Sequence, residues 1–195
     1  TGWRYLVPLS AGGTGLMMVG WADKFFQAEK GPVAMIVCLG FSALYLAAAE
    51  LARRRADEST EYTWSAVAMP LVGFGFALAF LDYAQLAARA PLYLGFVVLL
   101  DVVLLRLTWS HVTLPRIHLV GGGISFALLA LWTARHLDNN LLPWALTAYL
   151  VFAALHTVFP LLLERRQPES TPTWWSQIFP PVTLLLMLVP LLKIE

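Results

Sequence analysis

Charge is what this chain has least of: only 13% of its 195 residues are Asp, Glu, Lys or Arg, about half the share in an ordinary soluble domain. Thirteen basic residues against twelve acidic ones leave a net charge of +1, so neither a nucleic-acid footprint nor an acidic tail is present. Cysteine is nearly absent as well. The one thiol, Cys38, sits in an apolar run, and a single cysteine cannot form an internal disulfide or mark a redox compartment. No basic segment followed by a short apolar stretch and a small-residue cleavage site opens the chain. Its first residue is Thr1 rather than Met, as expected of a processed or partial chain.

Apolar residues are there in excess. They make up 59% of the chain, the mean hydropathy is +0.69, and they come in blocks of roughly twenty rather than in a surface-helix or strand alternation. A soluble fold of this size cannot hide that much apolar surface, so the chain reads as a polytopic membrane protein. Breaks at charged, Pro, Gly and Asn clusters leave apolar segments near 3–22, 32–52, 64–86, 91–109, 117–134, 142–163 and 175–192. Each can cross about 30 Å of hydrocarbon as a helix. Helices are required because backbone groups in lipid must bond within their own segment, and the alternation of a barrel is missing. The expected fold class is therefore an all-α transmembrane bundle of seven spans, with the termini on opposite sides.

The eight tryptophans, Trp3, Trp21, Trp64, Trp109, Trp132, Trp144, Trp174 and Trp175, all fall near span ends, where an indole prefers the headgroup level. Arg4, Arg53, Arg54, Arg55, Arg106, Arg116, Arg165 and Arg166 collect on the N-terminal side, against Lys24, Lys30, Arg89, Arg135 and Lys193 on the other. That bias predicts a cytoplasmic N-terminus and an external C-terminus, and the expected location is a bacterial inner membrane.

Comparison of the chain with itself shows an ungapped repeat at an offset of 111 residues. Arg54-Arg55-Ala56-Asp57-Glu58-Ser59-Thr60 returns as Arg165-Arg166-Gln167-Pro168-Glu169-Ser170-Thr171, and Gly12, Trp21, Pro32, Trp64 and Pro70 match Gly123, Trp132, Pro143, Trp175 and Pro181. The first three spans map onto the last three, a shift of four, so the copies share one orientation as a parallel repeat. Residues 1–111 form a first unit of four helices and 112–195 a second of three. A counterpart of the fourth span is missing, so either the chain ends early or the natural protein continues past Glu195.

Few residues invite chemistry. Asp101 lies ten residues after Pro91, about 15 Å along its helix and near the bilayer midplane. An acid at that depth reads as a proton or cation relay, or as a buried polar contact between helices, with Arg106 or a backbone carbonyl as partner. His156 lies fourteen residues into the sixth span and reads as a haem or pigment ligand, a proton carrier, or a neutral imidazole bonded to a neighbouring helix. Its counterpart in the repeat is Tyr45, which suggests a shared polar position between helices. His111, His118 and His136 lie near span ends and are expected to be solvated. No spacing of His, Cys or carboxylates makes a metal site, and no cofactor is expected.

Asp82 lies near the outer end of the third span, with Lys193 at the matching place of the seventh. Glu50 is expected to pair with the Arg53–Arg55 cluster at the cytoplasmic rim. Arg53, Arg54, Arg55, Arg165 and Arg166 are candidate contacts for lipid headgroups, although a solvated rim accounts for them too. Gly12, Gly13 and Gly15 in the first span, and Gly121, Gly122 and Gly123 in the fifth, are candidate helix-packing positions, since helices in lipid associate through close backbone approach. Pro8, Pro70, Pro160, Pro180, Pro181 and Pro190 should kink or shorten the spans that hold them.

The opening GWRYLVPLSAGGTGLMMVGW, followed by EKGPVAMIVCLGFSALYLAAAELARRR, resembles the bacterial membrane-protein family DUF2339. Its members have a Trp/Arg-led glycine-rich span, a G-P turn and a span closing on glutamate and a basic cluster. Here those features are Trp3, Arg4, Gly12, Gly13, Gly31, Pro32, Glu50 and Arg53–Arg55. The later LDYAQLAARAPLYLGFVVLLDVVLLRL is similar to the family's Tyr/Pro and Leu-Asp span pairs. The resemblance implies a repeat architecture and a usually much longer protein, and carries no active-site residues. The functional expectation is a non-enzymatic scaffold or accessory subunit of a membrane complex, with the bilayer and other integral membrane chains as partners and no nucleic acid. The alternative is a transporter of a small solute, ion or lipid that uses Asp101. A weaker one is haem or pigment binding through His156.

Overall fold

The computed structural model describes residues 4–55, 59–111, 116–166 and 178–193, and the side chains of 190–193 are outside that description. Trp3, Trp174, Trp175 and the repeat positions 56–58 and 167–171 lie outside the described residues. All regular structure among the described residues is helical. The long helices are α1 (Leu6–Phe25), α2 (Gly31–Arg54), α3 (Thr60–Phe80), α5 (Ala90–Ser110), α6 (Ile117–His136), α7 (Leu142–Arg166) and α8 (Phe179–Lys193), with one short helix, α4 (Ala84–Ala87), between α3 and α5.

Long helices thus stand at all seven places where the apolar segments put them. Five of them, α2, α3, α5, α6 and α7, are long and apolar enough to cross a membrane, and on these the chain is an integral membrane protein. Over the described residues the other two fall short for different reasons. α1 is diluted by Ser10, Gly12, Gly13, Thr14, Gly15 and Gly20 and carries Asp23 and Lys24 near its end. α8 counts 15 described residues, about 22 Å at 1.5 Å per residue.

Prolines set the helix starts more than they break them. Pro32, Pro91 and Pro143 occupy first-turn positions, where the missing N–H costs nothing because that donor has no intrahelical partner. Pro70 and Pro160 are interior. The third span ends earlier than expected. Leu81, Asp82 and Tyr83 donate to the carbonyls of Leu78, Ala79 and Phe80, a tightening that closes α3 at Phe80 and leaves 84–87 to a separate turn of helix. Asp82 is therefore a turn residue, 3.1 Å from Arg135 in an exposed ion pair.

α5 is the centre of the bundle. On one side it packs against α2 and α3, on the other against α6 and α7. α1 lies on α3, and α2 on α3; beyond α5, α6 lies on α8, and α7 on α8. The core between these layers is built from Phe80, Tyr93, Leu100, Leu104, Trp132, Tyr149 and Phe152, all essentially inaccessible. Close approach is visible at Gly73, where an added Cβ would meet Leu100 Cδ2 at 2.7 Å.

Buried polar tips are satisfied by backbone. Tyr93 donates to the Ala77 carbonyl at 3.1 Å and the Trp132 indole to the Ala87 carbonyl at 2.9 Å. This corrects one expectation about the aromatic belt. Trp132 does stand four residues from the end of α6, but its ring is buried in protein, whereas Trp21, Trp64 and Trp144 are exposed. The carbonyl of the short helix offered the indole N–H a partner that the headgroup region supplies elsewhere.

Candidate functional site

Asp101 projects from the middle of α5, eleven residues from Ala90 and nine from Ser110, about 16 and 14 Å from the two ends. His156 projects from α7, and its Nε2 lies 2.7 Å from Asp101 Oδ2, with both side chains completely inaccessible. The distance is that of a charge-assisted hydrogen bond. A carboxyl and an imidazole sharing one proton are neutral as a pair, whether that proton sits on oxygen or nitrogen. Without it the pair carries one negative charge in an apolar interior, which is costly.

α6 makes room for the pair. A Cβ on Gly121 would lie 2.9 Å from Asp101 Oδ1 and 3.0 Å from Leu104 Cδ1; one on Gly122 would lie 2.7 Å from His156 Cε1 and 2.8 Å from Phe179 Cζ. Two adjacent glycines thus face the two members of the dyad, one each, and any larger residue would displace a polar side chain. Gly123 has open space where its Cβ would be, as do Gly12 and Gly13, and a Cβ on Gly15 would touch Val72 Cγ2 at an ordinary 3.4 Å.

Around the imidazole the walls are aromatic. Phe126 and Phe179 lie with ring centroids 5.4 and 4.9 Å from that of His156, and they stack on each other at 5.1 Å with planes 7° apart. The polar capacity of the site is only partly used. Asp101 Oδ1, His156 Nδ1 and Ser125 Oγ are buried with no hydrogen-bond partner among the described residues. Ser125 lies one turn beyond Gly121 on α6. Pro160 adds a further acceptor, because it stands four residues after His156 in α7 and has no N–H to offer the His156 carbonyl.

The other expected site residues go elsewhere. Arg106 is five residues from Asp101, about 140° around α5. It faces α2 instead, with Nη2 3.6 Å from Glu50 Oε1. Arg53 Nη2 lies 2.6 Å and Arg54 Nε 3.7 Å from the same oxygen, so the glutamate gathers three guanidiniums at the end of α2. The idea that Arg106 partners Asp101 is corrected: the helical twist puts them on opposite faces of α5. Arg55 and Arg165 are exposed, and the Arg166 guanidinium sits 4.7 Å over the Trp109 ring. Tyr45 is not at the dyad; its hydroxyl is 2.9 Å from Ser10 Oγ and ties α2 to α1.

None of the three histidines expected in solvent is fully exposed, and His111 is half-buried. His118 is buried with its ring 5.8 Å from Phe159. His136 is half-buried, with Nε2 2.9 Å from the Leu81 carbonyl. Being near a helix end did not expose His118 and His136, because each faces a neighbouring element rather than the rim.

The pairing of Asp101 with His156 is what reading the sequence missed. A signal existed. α5 and α7 run in the same direction through the bundle, both start with proline in the first turn, and the two residues follow Pro91 and Pro143 at 10 and 13 residues, within about one helical turn of equal depth.

Two ligands alone do not make a metal centre, and no group of three or more His, Cys, Asp or Glu comes together among the described residues. A haem iron would need a ring nitrogen of His156; Nε2 is engaged by Asp101, and Nδ1 points toward Gly122, where an added Cβ would lie 3.0 Å away. The chain matches no protein-family model, and comparison with curated proteins and with solved structures gave no match.

Proposed function

We propose that the Asp101–His156 pair is a proton-loading site and that this integral membrane protein is a transporter of a small solute or ion driven through it. The observation that carries the reading is a fully buried carboxyl–imidazole contact of 2.7 Å at mid-helix, with unsatisfied polar atoms on both residues. A purely structural contact would be better served by full satisfaction, since each orphaned buried polar atom costs about 1–3 kcal/mol. Ionisable groups inside a span mark function by default. When the shared proton leaves, the remaining negative charge needs water or a cation, so release is tied to parting of α5 from α7. The His156 carbonyl, freed by Pro160, lies on the element that would have to move.

The same proposal takes all seven long helices as spans, with the N-terminus cytoplasmic, the C-terminus external, and the bacterial inner membrane as the location. It also takes residues 1–111 and 112–195 as parallel repeats, and keeps DUF2339 as the family reading. Support for the repeat is geometric. A shift of 111 residues carries Leu6–Phe25 onto Ile117–His136 and Gly31–Arg54 onto all but the last residue of Leu142–Arg166, and α1 and α2 pack on α3 as α6 and α7 pack on α8.

Proton loading is tested by infrared difference spectroscopy of the purified protein across a pH titration. A protonated-carboxyl band that titrates and vanishes in Asp101→Asn is expected, as is loss of proton flux in vesicles carrying Asp101→Asn or His156→Phe. A pH-silent carboxyl together with unchanged flux in both variants overturns the reading. A second reading, a non-enzymatic scaffold or accessory subunit, is favoured by the exposed face of α1, where Gly12 and Gly13 open onto unoccupied space beside exposed Leu9 and Leu16. Co-purification of a stoichiometric membrane partner that is lost in Gly12→Leu would favour it.

A further inference from the structure

α1 and α2 are splayed. Both rest on α3, and between them runs an apolar slot of about 450 Å³, lined by Met17, Met18 and Trp21 of α1, Val37 and Cys38 of α2, and floored by Phe76 of α3. One end is bounded by the Ser10–Tyr45 hydrogen bond, four residues before the first lining residue of α1 and four after the last of α2. The other end lies at Trp21, near the end of α1 and beside the short connection from Phe26 to Lys30 that leads into α2. Lys24 follows there, seven residues after Met17 and so about 20° from it around the helix, with its side chain exposed. Asp23 is turned about 100° further off that face.

We infer that this slot holds one acyl chain of a bilayer phospholipid, with the lipid's phosphate on Lys24. The volume fits. An apolar cavity of about 150 Å³ admits one six-carbon benzene, and on that scale the 450 Å³ slot admits about eighteen carbons, one acyl chain. The depth fits as well. The lining residues of α2 run from Val33 to Phe41, about 12 Å, within the roughly 15 Å of a single leaflet. The hydroxyl bridge bounds the slot at its inner end, so that an acyl chain lying in it places its headgroup at the Trp21 end. A lysine at the mouth supplies the charge that a phosphate seeks, and Trp21 beside it suits the interface. A transmembrane helix of a partner is a poorer occupant, because at 10–12 Å across it would have to part α1 from α2.

Native mass spectrometry after detergent extraction from vesicles of phosphatidylglycerol and phosphatidylcholine tests the assignment. The protein is expected to retain one phospholipid per chain. Val37→Trp, which fills the slot from an exposed position, should lower that occupancy at least about fivefold without shifting the unfolding temperature. Lys24→Gln should leave a lipid bound but reduce the preference for phosphatidylglycerol about fivefold, the ratio one surface lysine commands. Wild-type protein that retains no phospholipid, occupancy unchanged by Val37→Trp, or a second copy of the chain in place of the lipid would each overturn the inference.

Discussion

Replacing His156 by leucine leaves Asp101 with neither carboxyl oxygen hydrogen-bonded to any described residue, since Oδ1 already lacks a partner and Oδ2 loses its one contact. Leucine has nearly the volume of histidine and meets the same phenylalanine walls, so packing loss is small and the electrostatic loss dominates. Breaking a buried pair from one side costs about 3–5 kcal/mol. An ordinary hydrogen bond between membrane helices contributes only about 0.6 kcal/mol on average. For a chain of this length that larger cost lowers the unfolding temperature by about 10 °C. The double variant Asp101→Ala/His156→Leu removes the stranded carboxyl and leaves a small cavity beside Gly121, at about 1–2 kcal/mol. The second truncation should therefore restore part of the stability lost in the first. Thermal unfolding in detergent, followed by near-UV dichroism, measures the order of the three proteins. A double variant less stable than His156→Leu alone would refute the account of a charge-sharing pair.

Other outcomes follow from the same geometry. Gly122→Ala places a methyl 2.7 Å from His156 Cε1 and 2.8 Å from Phe179 Cζ; it should cost about 1–3 kcal/mol, while Gly12→Ala, facing open space, should lie within about 0.5 kcal/mol of wild type in the same unfolding assay. Trp132→Phe strands the Ala87 carbonyl that the indole now satisfies at 2.9 Å and should lower stability by about 1–2 kcal/mol. Arg106→Gln removes one of three guanidiniums from Glu50, and the arginine side chain is 45% exposed, so its effect should stay under about 1 kcal/mol and shrink with added salt. A loss comparable to that of His156→Leu would mean that the rim cluster, not the dyad, anchors α5.

Much of the architecture was legible without coordinates, and particular residues show why. Apolar blocks broken by prolines and charges located every long helix, because backbone groups in lipid have no alternative to helical bonding and Pro32, Pro91 and Pro143 fit first turns. Asp101 and His156 stood out singly because polar groups are rare at that depth. Their partnership did not, because it joins residues 55 apart and depends on which faces of α5 and α7 meet. Depth along a helix is a matter of counting; azimuth toward a neighbour is set by packing. The same ignorance of azimuth misplaced Arg106, which shares a helix with Asp101 but turns to Glu50, and His118, which is near a helix end yet buried.

Composition and spacing alone thus determined that the chain is helical, apolar enough for a membrane, and divided at its prolines and charges. Those properties are local: they follow from what each stretch of about twenty residues must do with its own peptide groups and apolar surface. Tertiary structure decided that the glycines of α6 open a pocket for a carboxyl and an imidazole, that Trp132 turns inward, and that α1 and α2 part to leave a slot. Each of those depends on the rotation of one helix against another, which is fixed by the fit of side chains across the interface and by no single segment.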